Sequence, residues 1–284
     1  EILRCLVGSE MCIRDRIYAE KPLRDYTKVI QYCDEVKADG FDLVDDFSDL
    51  FGMNAAGTDA KMRNTKESIL EAQFTSGAGN WCTWMFGRDL VNWNNNFTWA
   101  KWVTPSRDLI SAFKQEGDEV RFKESIVYYD CNWSNYYPSD NYPFMYKCRS
   151  ANSSIIKYRY ADVLLLKAEA LIMQDTPDLE GAADIIDKVR DRAKLGALPT
   201  SVRSNKNVLL NALLKERRLE LAFEGQRWFD LVRLDKVEEV MNAVYSKDSG
   251  RKAQIYTFDK NSYRLPIPQS VIDANDKIHQ NPGY

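Results

Sequence analysis

Apolar residues recur at helical intervals along the second half of the chain. One such stripe runs from Tyr158 to Ile172, and another runs from Leu179 to Ala193. Side chains three and four positions apart lie on the same face of an α-helix, so the two stripes predict a pair of packed helices. The pair has about the length of one tetratricopeptide unit, roughly 34 residues. A second pair is predicted at residues 208–223 and 228–244.

The first half of the chain has a more mixed pattern. Residues 17–37 have helical periodicity with an interruption near Pro22, and residues 105–113 are expected to form a short helix. Alternating apolar and polar positions predict strands at 68–74 and 122–129. We therefore predict a mainly α fold of tetratricopeptide-like helix pairs, an α-α superhelix, with long irregular loops and a few short strands.

The composition excludes several classes of function. Lys and Arg number 39 against 42 Asp and Glu, and the formal charge of −3 excludes the broad positive field of non-specific nucleic-acid binding. The chain has one histidine, His279, and no CxxC pair, so neither a metal cluster nor a Ser–His–Asp triad is expected. No apolar run reaches 18 residues, so no segment is expected to span a membrane.

The first sixteen residues are expected not to be native. The segment Ser9–Arg16, SEMCIRDR, resembles the conceptual translation of an adapter used in preparing sequencing libraries. The alternative is a genuine helical or loop segment. On the adapter hypothesis residues 1–16 are excluded from the fold, as a fusion scar would be. Four cysteines then remain, and whether they are paired stays open: Cys33, Cys82, Cys131 and Cys148.

Aromatic residues are concentrated in one stretch of the sequence. Five of the seven tryptophans fall between residues 81 and 102, and the segment 92–102 reads NWNNNFTWAKW. A similar mixture, DCNWSNYYPSD, occurs at 130–140. Sugars present apolar C–H faces that stack on aromatic rings, and hydroxyl groups that bond to amide side chains. The candidate glycan-binding residues are therefore Trp93, Asn94, Trp99, Asn132, Trp133 and Tyr136.

Packing in a hydrophobic core is the alternative role for these tryptophans. Trp81 and Trp84 have the spacing of one helical face, which favours burial. For Trp93 and Trp99, binding and packing stay equally open. Trp228 lies inside a predicted helix and is expected in the core.

Acidic and basic residues alternate along the predicted helix at 208–223. Glu216, Glu220 and Glu224 stand four residues apart, which puts them on one helical face. One interpretation is a carboxylate pair for glycoside hydrolysis. A structural ion-pair lattice is favoured, because interleaved arginines would neutralise both acids, whereas a general acid needs a raised pKa. The expected members of the lattice are Glu216, Arg217, Glu220, Glu224, Arg227, Asp230 and Arg233.

Five sequence blocks in the second half resemble the SusD/RagB family. They are RYADVLLLKAEAL at 159–171, DKVRDRA at 187–193, KERRLELAFEGQRWFDLVR at 215–233, LPIPQSVI at 265–272 and QNPGY at 280–284. Residues 26–74 also resemble the middle region of that family. Family members are longer and begin with a signal peptide and a lipidated cysteine, so we expect this chain to be their C-terminal portion.

The resemblance implies a domain at 17–284, with a loop-rich insertion at 81–154 and a helical-repeat and tail region at 155–284. It also implies a nutrient-binding lipoprotein at the surface of the outer membrane of a Gram-negative bacterium. The expected partners are an oligosaccharide or polysaccharide and a SusC-like, TonB-dependent transporter, with no nucleic acid and no membrane contact except through the lipid anchor. No enzymatic activity, cofactor or metal is expected.

Two other functions stay open at this point. A glycoside hydrolase would use the carboxylates at 216–224 and would release reducing sugar. A helical-repeat scaffold would bind peptides, and an upstream signal peptide with a lipidated cysteine would exclude a cytosolic scaffold of that kind. The sequence does not name the sugar, because aromatic stacking tolerates many ligands and binding loops vary more than the helices beneath them.

Overall fold

Helices dominate the fold. A computed structural model describes the chain at residues 2–74, 103–131, 135–150, 152–247 and 257–284. These ranges contain mostly helices and a few short strands, so the predicted mainly α class is confirmed. Within them, no helix combines the length and the apolar composition needed to cross a bilayer. The chain divides into two compact units, Glu1–Arg227 and Trp228–Tyr284.

The first unit begins with two packed helices. Helices α1 (Ile2–Ile17) and α2 (Tyr26–Ala38) are separated by a short 3₁₀ turn at Lys21–Leu23. This turn contains Pro22, so the predicted interruption at that residue is confirmed. A single helical turn, α3 (Ser48–Phe51), follows α2.

Helix α1 contains most of the residues that the adapter hypothesis excludes. Ile13 and Ile17 are fully buried, and Arg14 forms an ion pair with Asp162 at 2.5 Å. These contacts describe how the segment packs and not where it comes from, so the hypothesis stays a prediction. Sequencing the genomic locus checks it, and a native reading frame that encodes residues 1–16 would contradict it.

Four short strands in the described ranges form two antiparallel pairs. The strands are β1 (Ser68–Ala72), β2 (Ile126–Tyr129), β3 (Tyr142–Met145) and β4 (Ile155–Arg159). β1 pairs with β4, and β2 pairs with β3. The first predicted strand, at 68–74, is therefore confirmed over all but its last two residues.

Helical segments lie between Pro105 and β2. Helix α4 (Arg107–Glu116) lies where the sequence predicts a short helix, and it runs three residues further. Helix α5 (Glu119–Ser125) occupies the first half of the predicted strand at 122–129, so that prediction is wrong there. The Asp118 carboxylate accepts a hydrogen bond from the Arg121 N–H, and this cap starts a helix that the alternating pattern did not indicate.

The predicted helical hairpin is present. It consists of α6 (Tyr160–Met173) and α7 (Leu179–Arg192), and it is followed by α8 (Thr200–Arg203) and α9 (Lys206–Glu220). Helix α6 packs against α2, α7 and α9. It is apolar around most of its circumference, and such a helix belongs in the centre of a core. Its Leu165 is fully buried.

The second unit contains shorter helices than the sequence predicts. Helix α10 (Arg227–Arg233) and helix α11 (Val237–Lys247) replace the single helix predicted at 228–244. Asp235 lies between them with a φ of 53°, and this left-handed conformation ends a helix. Helix α12 (Gln269–Ala274) lies further along.

Trp228 is half-buried, so its predicted position in the core is wrong. Its ring centroid lies 6.3 Å from the ring centroid of Phe258. The side chain of Asn242 holds the same segment, because it bonds to both the N–H and the carbonyl of Phe258 at 2.9 Å. The Leu265–Pro268 stretch precedes α12 and is non-helical, as predicted.

Candidate functional site

Tyr136 is the predicted glycan-binding residue that falls within the described part of the chain. The other five candidates lie outside the described residues, and so do Trp81 and Trp84, which were expected to be buried. The predicted roles of all of them stay predictions. The candidates outside the described residues are Trp93, Asn94, Trp99, Asn132 and Trp133.

An arginine is held between Tyr136 and its neighbour. The guanidinium carbon of Arg107, at the start of α4, lies 4.4 Å from the ring centroid of Tyr136 and 4.2 Å from that of Tyr137. The guanidinium also donates a hydrogen bond to the Tyr136 carbonyl. Cation–π contacts at this distance fix the position of a long side chain that would otherwise sample many rotamers.

Tyr137 is fixed in turn by the strand pair beneath it. Its hydroxyl donates a hydrogen bond to the Pro105 carbonyl at 2.8 Å. Its ring meets Tyr136 edge-on at 5.0 Å and Tyr142, on β3, at 5.6 Å. The half-buried rings of Tyr136 and Tyr137 therefore rest on a buried aromatic platform.

A shallow cavity opens beside these rings. It has a volume of about 250 Å³ and lies between α4 and the loop that leads into β3. This volume is below the ~300 Å³ at which pockets for drug-sized ligands begin, so the cavity suits one sugar ring or substituent at a time. Its lining includes Arg107, Ser111, Lys114, Tyr128, Tyr137 and Asn141.

A second polar constellation lies inside the first unit. Its centre is Glu220, the last residue of α9, whose side chain is completely buried. Arg159 binds the Glu220 carboxylate at 2.5 Å and Arg121 binds it at 3.0 Å, and Arg192 forms a third ion pair with it. We call this set the buried ion cluster: Glu67, Asp118, Arg121, Lys147, Arg159, Arg192, Glu216, Glu220 and Glu224.

A second buried glutamate bridges two of the same arginines. Glu67, just before β1, lies 2.7 Å from Arg159 and 2.6 Å from Arg192. It also accepts a hydrogen bond from the Val44 N–H at 3.0 Å. No pattern in the sequence points to Glu67 or its partners, because each of these residues comes from a different element and no local spacing links them.

The sequence placed Glu224 on the same helical face as Glu216 and Glu220, and this is wrong. Helix α9 ends at Glu220, and the chain then turns through left-handed conformations at Phe223 and Gly225. The turn directs Glu224 to Arg159 at 2.7 Å and to Lys147 at 2.6 Å.

The other residues of the predicted lattice have separate contacts. Arg217 pairs with Asp162 at 2.8 Å, and Arg227 donates a hydrogen bond to a backbone carbonyl of α9 at 3.1 Å. In the second unit, Asp230 and Arg233 pair with each other at 2.8 Å.

The two helical glutamates have opposite pKa shifts. Burial raises the pKa of Glu216, and this effect outweighs the pairing with Arg121 and Arg190. Burial acts in the same direction at Glu220, but three arginines together hold its pKa well below the usual range. Such a divergence is typical of glycosidase acid and base pairs. Here, however, the two side chains are 2% and 0% exposed, so no glycan can reach them in this structure.

Comparisons with known proteins relate the chain to one family. A sequence profile of the SusD family matches residues 142–284, which is half of the chain. SusD-like protein P38 of Formosa agariphila is 43% identical over 99 residues, covering 33% of this chain and 19% of that protein. SusD-like protein P2 of the same organism is 36% identical over 143 residues, covering 48% of this chain and 27% of that protein.

The fold is also similar to solved structures. A laminarin-binding SusD-like protein superimposes with a TM-score of 0.68 at 24% identity, and the match covers 98% of this chain and 62% of that one. The tetratricopeptide-like architecture predicted from the helix pairs is therefore confirmed. The chain spans less than two thirds of this structural relative and about a quarter or less of the curated relatives it matches.

Neutralising Glu220 is expected to destabilise the fold. The substitution Glu220→Gln leaves three buried arginines without their shared anion, and such a loss costs roughly 3 kcal/mol of unfolding free energy. Equilibrium denaturation in guanidinium measures the loss of unfolding free energy. Glu180→Gln is the matched control, because Glu180 pairs with Arg203 at the surface and should contribute less than about 1 kcal/mol. An equal loss of unfolding free energy in the two variants would contradict the structural role of Glu220.

The buried Lys147 is expected to make stability depend on alkaline pH. Burial lowers the pKa of Lys147 to about 8, against the ordinary 10.5, and Glu224 only partly offsets this. Between these two values the unfolded chain holds a proton that the folded chain has lost, so stability rises with pH. The contribution is at most about 3 kcal/mol.

The substitution Lys147→Met removes that contribution while keeping a side chain of similar length. We expect the difference in unfolding free energy between wild type and variant to change between pH 8 and 10.5. Lys157→Met, at an exposed position of β4, should leave the pH dependence as it is. If the unfolding free energies of wild type and Lys147→Met change with pH in the same way, the lowered pKa of Lys147 is contradicted.

Proposed function

This chain belongs to the SusD family, and we propose that it binds a glycan at the cell surface without catalysing a reaction. The observation that carries the proposal is the family match over 142–284. A protein of the same fold is described as binding laminarin, a polysaccharide, and this supports a glycan as the class of ligand. The ligand would be held by ring stacking and hydrogen bonds, without a cofactor.

We further propose that the whole protein is an outer-membrane lipoprotein that delivers its ligand to a SusC-like, TonB-dependent transporter. The resemblance of the C-terminal sequence blocks to the SusD/RagB family supports this role. The transporter would receive the glycan from the loop-bearing surface, and contact with the membrane would pass through the lipid anchor of the whole protein.

The glycan site is proposed to include Tyr136 together with the five candidates from the sequence. Half-buried rings that rest on a rigid support lose little entropy when a sugar stacks on them. Tyr136 has such a support in Tyr137 and Arg107. The additional residues proposed for the site are Trp93, Asn94, Trp99, Asn132 and Trp133.

A glycoside hydrolase that uses the carboxylates at 216–224 is the less favoured proposal. A hydrolase needs an acid and a base on opposite sides of a bound glycosidic bond, in a cleft that admits the substrate. Glu216 and Glu220 are buried among arginines and lie on one helix. A peptide-binding helical scaffold is also less favoured, because the family match points to a nutrient-binding protein.

A polysaccharide panel tests the proposed function. The full-length protein encoded at this locus is screened by affinity electrophoresis and calorimetry, and at least one polysaccharide should bind. Replacing Trp93, Trp99, Trp133 or Tyr136 with Ala should weaken binding, because each stacked ring contributes on the order of 1 kcal/mol, or about fivefold in affinity. Unchanged affinity in all four variants would disprove the site.

Reducing-sugar release from the bound polysaccharide is measured alongside. We expect none above background. Turnover that Glu220→Gln abolishes, in a variant that remains folded by circular dichroism, would favour the hydrolase and overturn the non-catalytic proposal.

A further inference from the structure

The cavity beside Tyr137 has one wall that is built from a single helical face. Arg107, Ser111 and Lys114 follow each other at intervals of four and three residues on α4, and all three line the cavity. Tyr128 and Asn141 lie among the residues of the opposite wall. None of the described residues that line the cavity carries a carboxylate, and the charged side chains among them are Arg107 and Lys114.

The acidic residues of α4 are directed away from this wall. Asp108 pairs with Arg218 at 2.6 Å, and Glu116 pairs with Arg190 at 2.9 Å. Lys114 differs from these residues, since it is exposed and has no ion-pair partner in the part of the chain that the structure describes. Its ammonium group can therefore face a ligand in the cavity without first breaking an existing contact.

Arg107 is fixed at the other end of the same wall. Its guanidinium lies between two tyrosine rings and is bonded to a backbone carbonyl, so little side-chain freedom is lost on binding. A planar guanidinium matches the oxygens of a carboxylate or a sulfate ester better than it matches a sugar hydroxyl.

The spacing of Arg107 and Lys114 along α4 bears on the shape of the ligand. Seven residues of an α-helix rise about 10 Å, so Arg107 and Lys114 lie two turns apart on one face. A polymer with an acidic group on successive residues can offer one group to each.

We propose that the glycan bound by this protein is anionic, with uronate carboxylates or sulfate esters received by Arg107 and Lys114 on α4. Tyr128 and Tyr137 would border the sugar ring, and Ser111 and Asn141 would bond to its hydroxyl groups. This inference rests on the proposed function, because it takes the ligand to be a glycan.

Matched polysaccharide pairs test the inference on the full-length protein. Polygalacturonate is compared with its carboxyl-reduced form, and a sulfated galactan with its desulfated form, each by calorimetry at low and at 0.5 M salt. We expect at least one acidic form to bind about tenfold more tightly than its neutral counterpart and to weaken with salt. Binding of polygalacturonate would identify the acidic group as a carboxylate, and binding of the sulfated galactan would identify it as a sulfate ester.

Lys114→Gln is the decisive variant because Lys114 is exposed and its loss should not disturb folding. It should weaken binding of the acidic polysaccharide about tenfold. Lys123→Gln, at an exposed position of α5 that does not line the cavity, is the matched control.

The two proposals fail in different ways. Equal affinity for acidic and neutral forms, or acidic binding that survives Lys114→Gln unchanged, overturns the anionic subsite while glycan binding stands. Failure to bind every polysaccharide, acidic or neutral, overturns the proposed function and the inference with it.

Discussion

Charge neutralisation inside the first unit is the constraint on which the rest of the structure depends. Every carboxylate of the buried ion cluster lies within 2.7 Å of a cationic nitrogen, in an interior where an unpaired charge would cost several kcal/mol. The partners come from distant parts of the chain. Arg121 belongs to α5, Arg159 ends β4, Arg192 ends α7 and Glu220 ends α9. Neutralisation of the cluster therefore requires these four elements to pack together.

The cluster also supports the surface on which the candidate site lies. Arg121 precedes β2 by a few residues, and Lys147 follows β3 by two. The end of this strand pair at which Ile126 faces Met145 is therefore anchored to glutamates of the cluster. The pair carries Tyr128 and Tyr142, and these residues line the cavity or support its aromatic wall. A rigid scaffold beneath a variable loop surface is a common arrangement in binding proteins.

Sequence reasoning identified the features that are local. The periodicity at 158–172 and 179–193 predicted α6 and α7, because an apolar stripe records which face of a helix is buried. The prediction that Glu224 shares a helical face with Glu220 was wrong, because a spacing of four residues does not reveal that the helix ends in a left-handed turn. Sequence reasoning also failed at 122–125, where the Asp118 cap prevailed over alternation. Lys147 and Glu67 were missed because an ion pair across 60 or more residues leaves no local signal.

Strongly shifted pKa values often mark functional sites, but the shifts of Glu220 and Lys147 fall on inaccessible charges. The electrostatic energy that shifts Glu220 and Lys147 arises because water is excluded, and the same exclusion keeps a polysaccharide out. A protein that binds and releases a large ligand needs the opposite environment, with exposed rings and hydrated charges that make many modest contacts. Lys114, which is exposed on α4, has that character. The charges inside the first unit hold the scaffold together, and a hydrated charge such as that of Lys114 can contact a ligand without losing a buried partner.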